Sequence, residues 1–108
     1  MNTIHFSHSW NRKLDQDIFT TIRKYDYGKW NYYKSAEGNK FGVFLNKVKI
    51  GEARLLQAEY EKLMSLPNAL LCFDTGMELQ DAYKLFRKFG IDKQDMVIVL
   101  TFKKEDIK

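Results

Sequence analysis

The spacing of apolar residues changes midway along the chain. In the N-terminal half, short runs of aromatic and β-branched residues are separated by turn residues, a pattern that favours short strands. In the C-terminal half, apolar residues recur at the three- and four-residue spacing of helices. Strands are predicted in the first half at residues 4–7, 19–23, 29–34, 41–45 and 48–56. The chain is therefore expected to combine a sheet with helices.

The clearest local signals are one hairpin and one helix. Asn46-Lys47 separates the last two of these strands and is typical of a tight hairpin turn. The apolar positions of residues 79–89 have helical spacing, and Gly90 follows where a helix would end. Residues 75–78 predict a capping box at the start of this helix, with Thr75 and Glu78 as its capping residues.

The remaining C-terminal segments complete the predicted architecture. Residues 58–66 predict a short helix that Pro67 closes, and the nearly all-apolar residues 96–102 predict a central strand. A single proline and the absence of Gly/Ser-rich tracts or repeats predict one domain, residues 1–108. The expected fold is α+β, a small β-barrel or curled sheet with two or three flanking helices.

Composition narrows the functional classes. The longest strictly apolar run, residues 69–73, is far below the roughly 20 residues that a membrane-spanning helix needs, and the N-terminus has no signal-peptide pattern. The single cysteine, Cys72, excludes an internal disulfide and favours a small buried apolar residue. His5 and His8 have no acidic neighbours, so no metal or cofactor is expected. A cytoplasmic location is the default expectation.

Charge is uneven along the chain. Residues 1–54 hold ten basic and five acidic side chains, a net charge of +5, whereas residues 55–108 hold eight and nine, a net charge of −1. Tyrosine, tryptophan and phenylalanine are interleaved with the N-terminal bases. Cations neutralise phosphates and aromatic faces stack on bases, so this mixture suits single-stranded nucleic acid. The alternative is an ordinary solvated face of a mildly basic domain.

Several short motifs together resemble the ASCH domain, a branch of the PUA-like superfamily. They are Phe6-Ser7-x-x-Trp10-x-x-Lys13, Thr20-Thr21-Ile22-Arg23, Tyr27-Gly28, Phe73-Asp74-Thr75-Gly76 and Val97-Ile98-Val99-Leu100-Thr101-Phe102. The likeness spans nearly the whole chain. It implies a PUA-like β-barrel with a cleft beside the Thr-Ile-Arg strand that accepts nucleotides or RNA.

The leading hypothesis from these residues is a module that binds single-stranded RNA or a nucleotide. Arg23 would clamp a phosphate, and of Trp10 and Trp30 one is expected in the core while the other would offer a stacking platform. The other candidate ligand-binding residues are Thr20, Thr21, Lys24 and Asp74 in the cleft, with Trp10 and Lys13 at its rim. Each residue also has a structural alternative: Arg23 can tie down a loop carboxylate, and Asp74 can cap a helix.

Two other functions stay open. The resemblance includes small amidohydrolases that act on acylated cytidine, and their motif maps the catalytic roles onto Thr21 and Asp74. The lysine that this motif places three residues before the threonine is Ile18 here. An RNA-cleaving domain could use the same cleft. The third hypothesis is an accessory protein whose basic aromatic face binds an acidic protein partner.

Overall fold

The computed structural model describes residues 2–8 and 10–105, with side chains for residues 2–8 and 13–105. Five strands and three α-helices account for most of this part of the chain, and 3-10 helices lie at Trp10–Asp15 and Leu63–Ser65. The elements are β1 (Asn2–Phe6), β2 (Ile18–Lys24), α1 (Tyr27–Ser35), β3 (Lys40–Leu45), β4 (Val48–Lys62), α2 (Asn68–Thr75), α3 (Leu79–Lys88) and β5 (Met96–Glu105).

The strands form one mixed sheet in the order β1-β3-β4-β5-β2. β1 runs parallel to β3, and the other pairs are antiparallel. The sheet curls so that its two edge strands face each other: the rings of Phe6 and Phe19 lie 6.1 Å apart. No backbone ladder joins β1 to β2 among the described strands, so the sheet is not closed. The α+β class is confirmed, and the predicted barrel is an open, curled sheet.

β5 is buried on both faces, as its nearly continuous apolar sequence predicts. Ile98, Leu100 and Phe102 point into a first core, which α1 covers. Val97 and Val99 point into a second core, which also contains residues of α2 and α3. β5 lies between β4 and β2, and its apolar run fits a strand that is covered on both faces.

The predicted strand at residues 29–34 is wrong, because this segment belongs to α1. Asp26 caps the helix by accepting a 2.9 Å hydrogen bond from the backbone N–H of Lys29. Trp30, Tyr33 and Ala36 recur every three residues and pack against the first core. Side-chain burial on one helical face and a good N-cap therefore override the strand preference of the tyrosines.

The predicted helix at residues 58–66 is also wrong. β4 continues as a strand to Lys62, where its partner is β5. A bulge between Leu55 and Gln57 shifts the register of β4 against β5. Pairing of β4 with β3 ends at Arg54, whereas pairing with β5 continues beyond the bulge. Only the 3-10 helix Leu63–Ser65 precedes Pro67.

The predicted helix at residues 79–89 is confirmed as α3, but its capping box does not form. Thr75 is the last residue of α2, an element that the sequence pattern did not predict. Its hydroxyl donates to the Leu71 carbonyl at 2.8 Å instead of capping α3. At the other end, Gly90 adopts a φ of 78° and donates to the Arg87 carbonyl, while Ile91 donates to the Phe86 carbonyl. These two bonds form the expected glycine-terminated helix end.

The hairpin between β3 and β4 is confirmed. Asn46 and Lys47 both have positive φ values, 50° and 69°, which are the turn conformations that match the twist of a two-residue hairpin.

Candidate functional site

A cleft of about 270 Å³ lies where the ends of β1 and β2 meet α2 and α3. We call it the edge cleft. Its lining comprises His5, Phe6, Ser7, His8, Lys13, Thr21, Ile22, Arg23, Lys24, Asp74, Thr75, Leu85, Phe86, Phe89 and Ile91. Because the two edge strands approach without pairing, the opening between them is walled by side chains from five elements of the fold: β1, the 3-10 helix Trp10–Asp15, β2, α2 and α3.

A buried ion pair forms one wall of the edge cleft. Lys13, from the 3-10 helix Trp10–Asp15, places its Nζ 3.2 Å from Oδ1 of Asp74 on α2. Thr20 on β2 donates to the same oxygen at 2.7 Å. Lys13 is 4% exposed and Asp74 is 3% exposed. Burial lowers the pKa of Lys13, and the carboxylate of Asp74 acts in the opposite direction.

Arg23 forms the bridge between the two edge strands. Its Nε donates to Thr21 Oγ1 at 3.0 Å, and its Nη2 donates across the gap to the His5 carbonyl at 2.8 Å. Burial lowers the pKa of Arg23, while Tyr33 and Asp74 raise it. The guanidinium nevertheless stays charged at neutral pH, because arginine is too strong a base to lose its proton in a protein.

The Phe6 ring lies close to both cations, the buried Lys13 and the half-buried Arg23. Arg23 Cζ is 4.9 Å and Lys13 Nζ is 5.4 Å from the ring centroid. A π-face attracts cations most strongly where water is excluded, so Phe6 compensates for part of the lost hydration of both groups. It also holds Lys13 and Arg23 on one side of the cleft.

The outer part of the cleft is more exposed. Lys24 donates from Nζ to the Gly90 carbonyl at 3.2 Å, which links β2 to the end of α3. Phe89 lies beside it with its ring 54% exposed. A half-exposed aromatic ring next to a lysine offers a flat apolar surface and a positive charge at the mouth of the cleft.

The structure places most of the predicted site residues together. Thr21, Arg23, Lys24 and Asp74 all line the edge cleft, as predicted. Lys13 was expected at the rim, but it is buried in the wall, where Asp74 is its charge and hydrogen-bond partner and Thr20 donates to the same Asp74 oxygen.

The other predicted residues lie elsewhere or act indirectly. Thr20 is absent from the lining and contacts Asp74 instead. Trp30 packs edge-on against Tyr60, with ring centroids 4.8 Å apart, and borders a separate groove. The side chain of Trp10 lies outside the described residues. The predicted stacking role of Trp30 therefore does not belong to this cleft.

Sequence reasoning missed four aromatic or imidazole side chains of the site. His5 and His8 were considered only as metal ligands, but β1 ends at Phe6 and both histidines border the cleft. Phe6 was noted only within a motif, and Phe89 only as part of a helical stripe. No group of three or more potential metal-ligating side chains occurs among the described residues.

The arrangement gives the cleft three chemical capabilities. Arg23 and Lys13 provide positive charge for a phosphate or a polarised carbonyl. Asp74 provides a carboxylate: the hydrogen bonds from Lys13 and Thr20 both end on its Oδ1, and neither involves its Oδ2. Thr21 accepts from Arg23 through its oxygen, and its own proton can be donated to a ligand.

Comparisons of the chain with family models, curated proteins and solved structures found no match. Among the described residues, no helix is long and apolar enough to cross a membrane. The edge cleft is thus interpreted from its own geometry.

Proposed function

We propose that the protein binds a nucleotide in the edge cleft, either free or as the terminal unit of a single-stranded RNA. The observation that carries this proposal is the convergence of Lys13, Arg23 and Lys24 with Phe6 and Phe89 on one small cleft. Positive charge recognises the phosphate, and an aromatic surface recognises the base. The resemblance of the Thr20-Thr21-Ile22-Arg23 segment to ASCH domains points to the same class of ligand.

The size of the cleft favours a single nucleotide over a longer segment. Its volume of about 270 Å³ is slightly below the range of roughly 300–1,000 Å³ typical of small-molecule pockets. One base or sugar fills such a space, and the half-exposed Phe89 ring at the mouth offers a stacking surface for it. Exposed Lys29, Lys47 and Lys49 would then contact phosphates only if the ligand were a longer chain.

The test is a titration of fluorescently labelled cytidine monophosphate and of a labelled single-stranded RNA pool, read by anisotropy at low and moderate salt. In Arg23→Gln we expect affinity for both probes to fall at least about tenfold, since a charged hydrogen bond is lost. Lys103→Gln is the matched control, because it removes an exposed lysine of β5 to which no ligand contact is assigned, and it should change affinity less than about twofold. Equal affinities of the Arg23→Gln variant and the unchanged protein, both shown to be folded, would exclude the edge cleft as the site.

A second candidate, hydrolysis of an acylated nucleoside, is favoured by the position of Lys13. The ASCH-type amidohydrolase motif expects a lysine at the position of Ile18, which is 49% exposed here. Lys13 supplies an ammonium to the same cleft from a different element, beside Asp74 and in a lining that includes Thr21. A buried lysine with a lowered pKa is better suited to accept a proton at neutral pH.

In this second function, the neutral amine form of Lys13, which its lowered pKa favours, would take the Thr21 proton as the hydroxyl oxygen attacks the acyl carbon. The C–N bond would then break as Lys13 returns that proton to the departing N4 amine of cytidine, and water would hydrolyse the acyl-threonine to release the acid. Deacetylation of N4-acetylcytidine, followed by chromatography, should then be abolished in both Thr21→Val and Lys13→Met. Thr101→Val changes a half-buried threonine of β5 and should leave turnover unchanged. Nucleotide binding without turnover at high protein concentration would remove the hydrolase and leave the binding function.

A further inference from the structure

The second half of β4 carries an open sheet edge. β3 pairs with β4 only as far as Arg54, and the Asn39 and Gly38 backbone extends that cover to Leu55. From Gln57 to Lys62, β4 pairs with β5 on one side, and none of the described strands pairs with it on the other. Open strand edges display unpaired N–H and C=O groups that can template another strand.

The register shows at which residues of this edge the backbone N–H and C=O groups point away from β5. Leu63 donates to the Asp95 carbonyl and continues the pairing of Lys62 with Met96. In an antiparallel pair only alternate residues exchange hydrogen bonds, so Glu59 and Glu61 bond to β5. Their neighbours, the even-numbered residues 58, 60 and 62, direct N–H and C=O away from the sheet.

The chain blocks this edge at Ala58 but not at Tyr60. Glu37 accepts from the Ala58 N–H at 2.8 Å, and Lys34 donates to the Ala58 carbonyl at 3.4 Å. These two side chains also pair with each other at 3.2 Å. No other described group outside the sheet ladder bonds the N–H or C=O of Tyr60.

A groove follows the unblocked part of the edge. Its volume is about 530 Å³, and it is bordered by Trp30, Tyr60, Glu59, Glu61, Leu66 and Pro67, together with Lys34, whose charge is paired with Glu37. The Trp30 and Tyr60 rings pack edge-to-face, and Tyr60 remains 51% exposed. The groove thus combines an apolar floor with a backbone donor and acceptor, which is what an added peptide strand requires.

Charge decides between the candidate occupants. Glu59 and Glu61 are both exposed, and residues two apart project from the same face of a strand. A second copy paired antiparallel through Tyr60 would place Glu59 opposite Glu61 of the other copy, and like charges directly opposite destabilise strand pairing. The same carboxylates repel the phosphates of RNA. A strand with basic side chains at two alternate positions is complementary.

We propose that this edge binds an extended peptide segment of a partner protein by strand addition at Tyr60. The segment would carry lysine or arginine opposite Glu59 and Glu61, with an apolar residue between them that faces Trp30. Such binding would use a surface separate from the edge cleft, since the two share no lining residue. It does not depend on the proposed nucleotide-binding function.

The experiment uses a fluorescein-labelled peptide in which lysine alternates with valine, and a control peptide in which glutamate replaces lysine. We expect saturable binding of the lysine peptide alone. We also expect amide hydrogen exchange at Tyr60 to slow at least about tenfold when the lysine peptide is bound, because its N–H becomes hydrogen-bonded. Exchange at Ala58, already bonded to Glu37, should change little.

Charge reversal tests the recognition of basic residues. Glu59→Lys combined with Glu61→Lys should weaken peptide binding at least about tenfold. Glu78→Lys combined with Asp81→Lys changes the net charge equally on α3 and should leave affinity unchanged. The proposal fails if no peptide binding is seen at millimolar concentration, if both double variants weaken binding equally, or if bound peptide leaves Tyr60 exchange unchanged. Slower Tyr60 exchange with RNA but not with peptide would also overturn it.

Discussion

At the scale of single residues, the buried pair Lys13–Asp74 dominates the candidate site. Moving both charges out of water is costly, and the 3.2 Å contact, the bond from Thr20 and the nearby Phe6 ring offset that cost. A buried ion pair of this kind is weak evidence for stability as such. Its place in the cleft wall makes it more informative about ligand binding, because the pair keeps an ammonium and a carboxylate fixed before a ligand arrives.

The first prediction concerns the cost of separating this pair. Lys13→Met leaves the Asp74 carboxylate buried with only the Thr20 hydroxyl, so we expect the free energy of unfolding to fall by about 3–5 kcal/mol. Lys13→Met combined with Asp74→Leu removes both charges and should regain most of that loss. Urea titrations measure both values. Lys49→Met breaks an exposed pair with Glu52 and should cost no more than about 1 kcal/mol.

Additive losses would contradict this account. If the double variant is destabilised by the sum of the two single changes, Lys13 and Asp74 do not depend on each other. In that case their 3.2 Å contact contributes little, and each residue is held by separate interactions.

At the scale of elements, α1 depends on polar side chains at both ends. Asp26 caps its start, and the Lys34–Glu37 pair at its other end bonds the backbone of β4 at Ala58. The hydrogen bond from the Ala58 N–H, with further contributions from Lys34, lowers the pKa of Glu37 below its ordinary value of 4.5. The helix is therefore coupled to the sheet through an ionised carboxylate.

The second prediction follows from the direction of that shift. A carboxyl group whose pKa is lower in the folded state binds protons more readily when unfolded, so it stabilises the fold above its unfolded pKa. This contribution should be lost as the pH falls from about 5 through the lower folded pKa. Glu37→Gln lacks the titrating group. Its free energy of unfolding should decline less between pH 6 and pH 3 than that of the unchanged protein.

Glu78→Gln is the control for this pH series. Glu78 is exposed and precedes α3, and its side chain makes no capping hydrogen bond to that helix. It should follow the pH profile of the unchanged protein. Identical profiles for Glu37→Gln and the unchanged protein would show that the Glu37–Ala58 bond is not formed in solution.

The elements also show what sequence alone can predict here. The aromatic and β-branched residues of β2 and the apolar run of β5 were sufficient to predict these two strands, and both strands bury side chains on two faces. The segments 29–34 and 58–66 were misassigned because tertiary contacts decide them: an Asp26 cap and one buried face make the first helical, and pairing with β5 keeps the second extended.

Local sequence patterns also predicted part of the candidate site, whereas long-range contacts decided the rest. Thr21 and Arg23 lie two apart on β2, and strand alternation alone places both on one face. Asp74 was expected from its position before a helix, although it lies inside α2. The burial of Lys13 depends on how the 3-10 helix packs against α2, a long-range contact that no local pattern encodes.

At the scale of the whole molecule, β5 and β2 separate two apolar cores. Phe19 on β2 and Leu100 on β5 belong to the first core, whereas Ile22 and Val99 belong to the second. The edge cleft lies beside β2, between the curled edge of the sheet and the layer of α2 and α3. Neither core can lose its structure without exposing one face of the shared strands, so the two cores should be stable or unstable together.

The third prediction tests this coupling with Leu100→Ala in the first core. Leu100 is fully buried, so the truncation should lower the free energy of unfolding by about 2–5 kcal/mol. Methyl NMR signals of Ile98 in the first core and Ile91 in the second should then disappear at one common, lowered denaturant midpoint. If Ile91 kept the midpoint of the unchanged protein while Ile98 shifted, the helical layer would fold independently. The edge cleft would then join two separable units, and a ligand bound there would stabilise both cores.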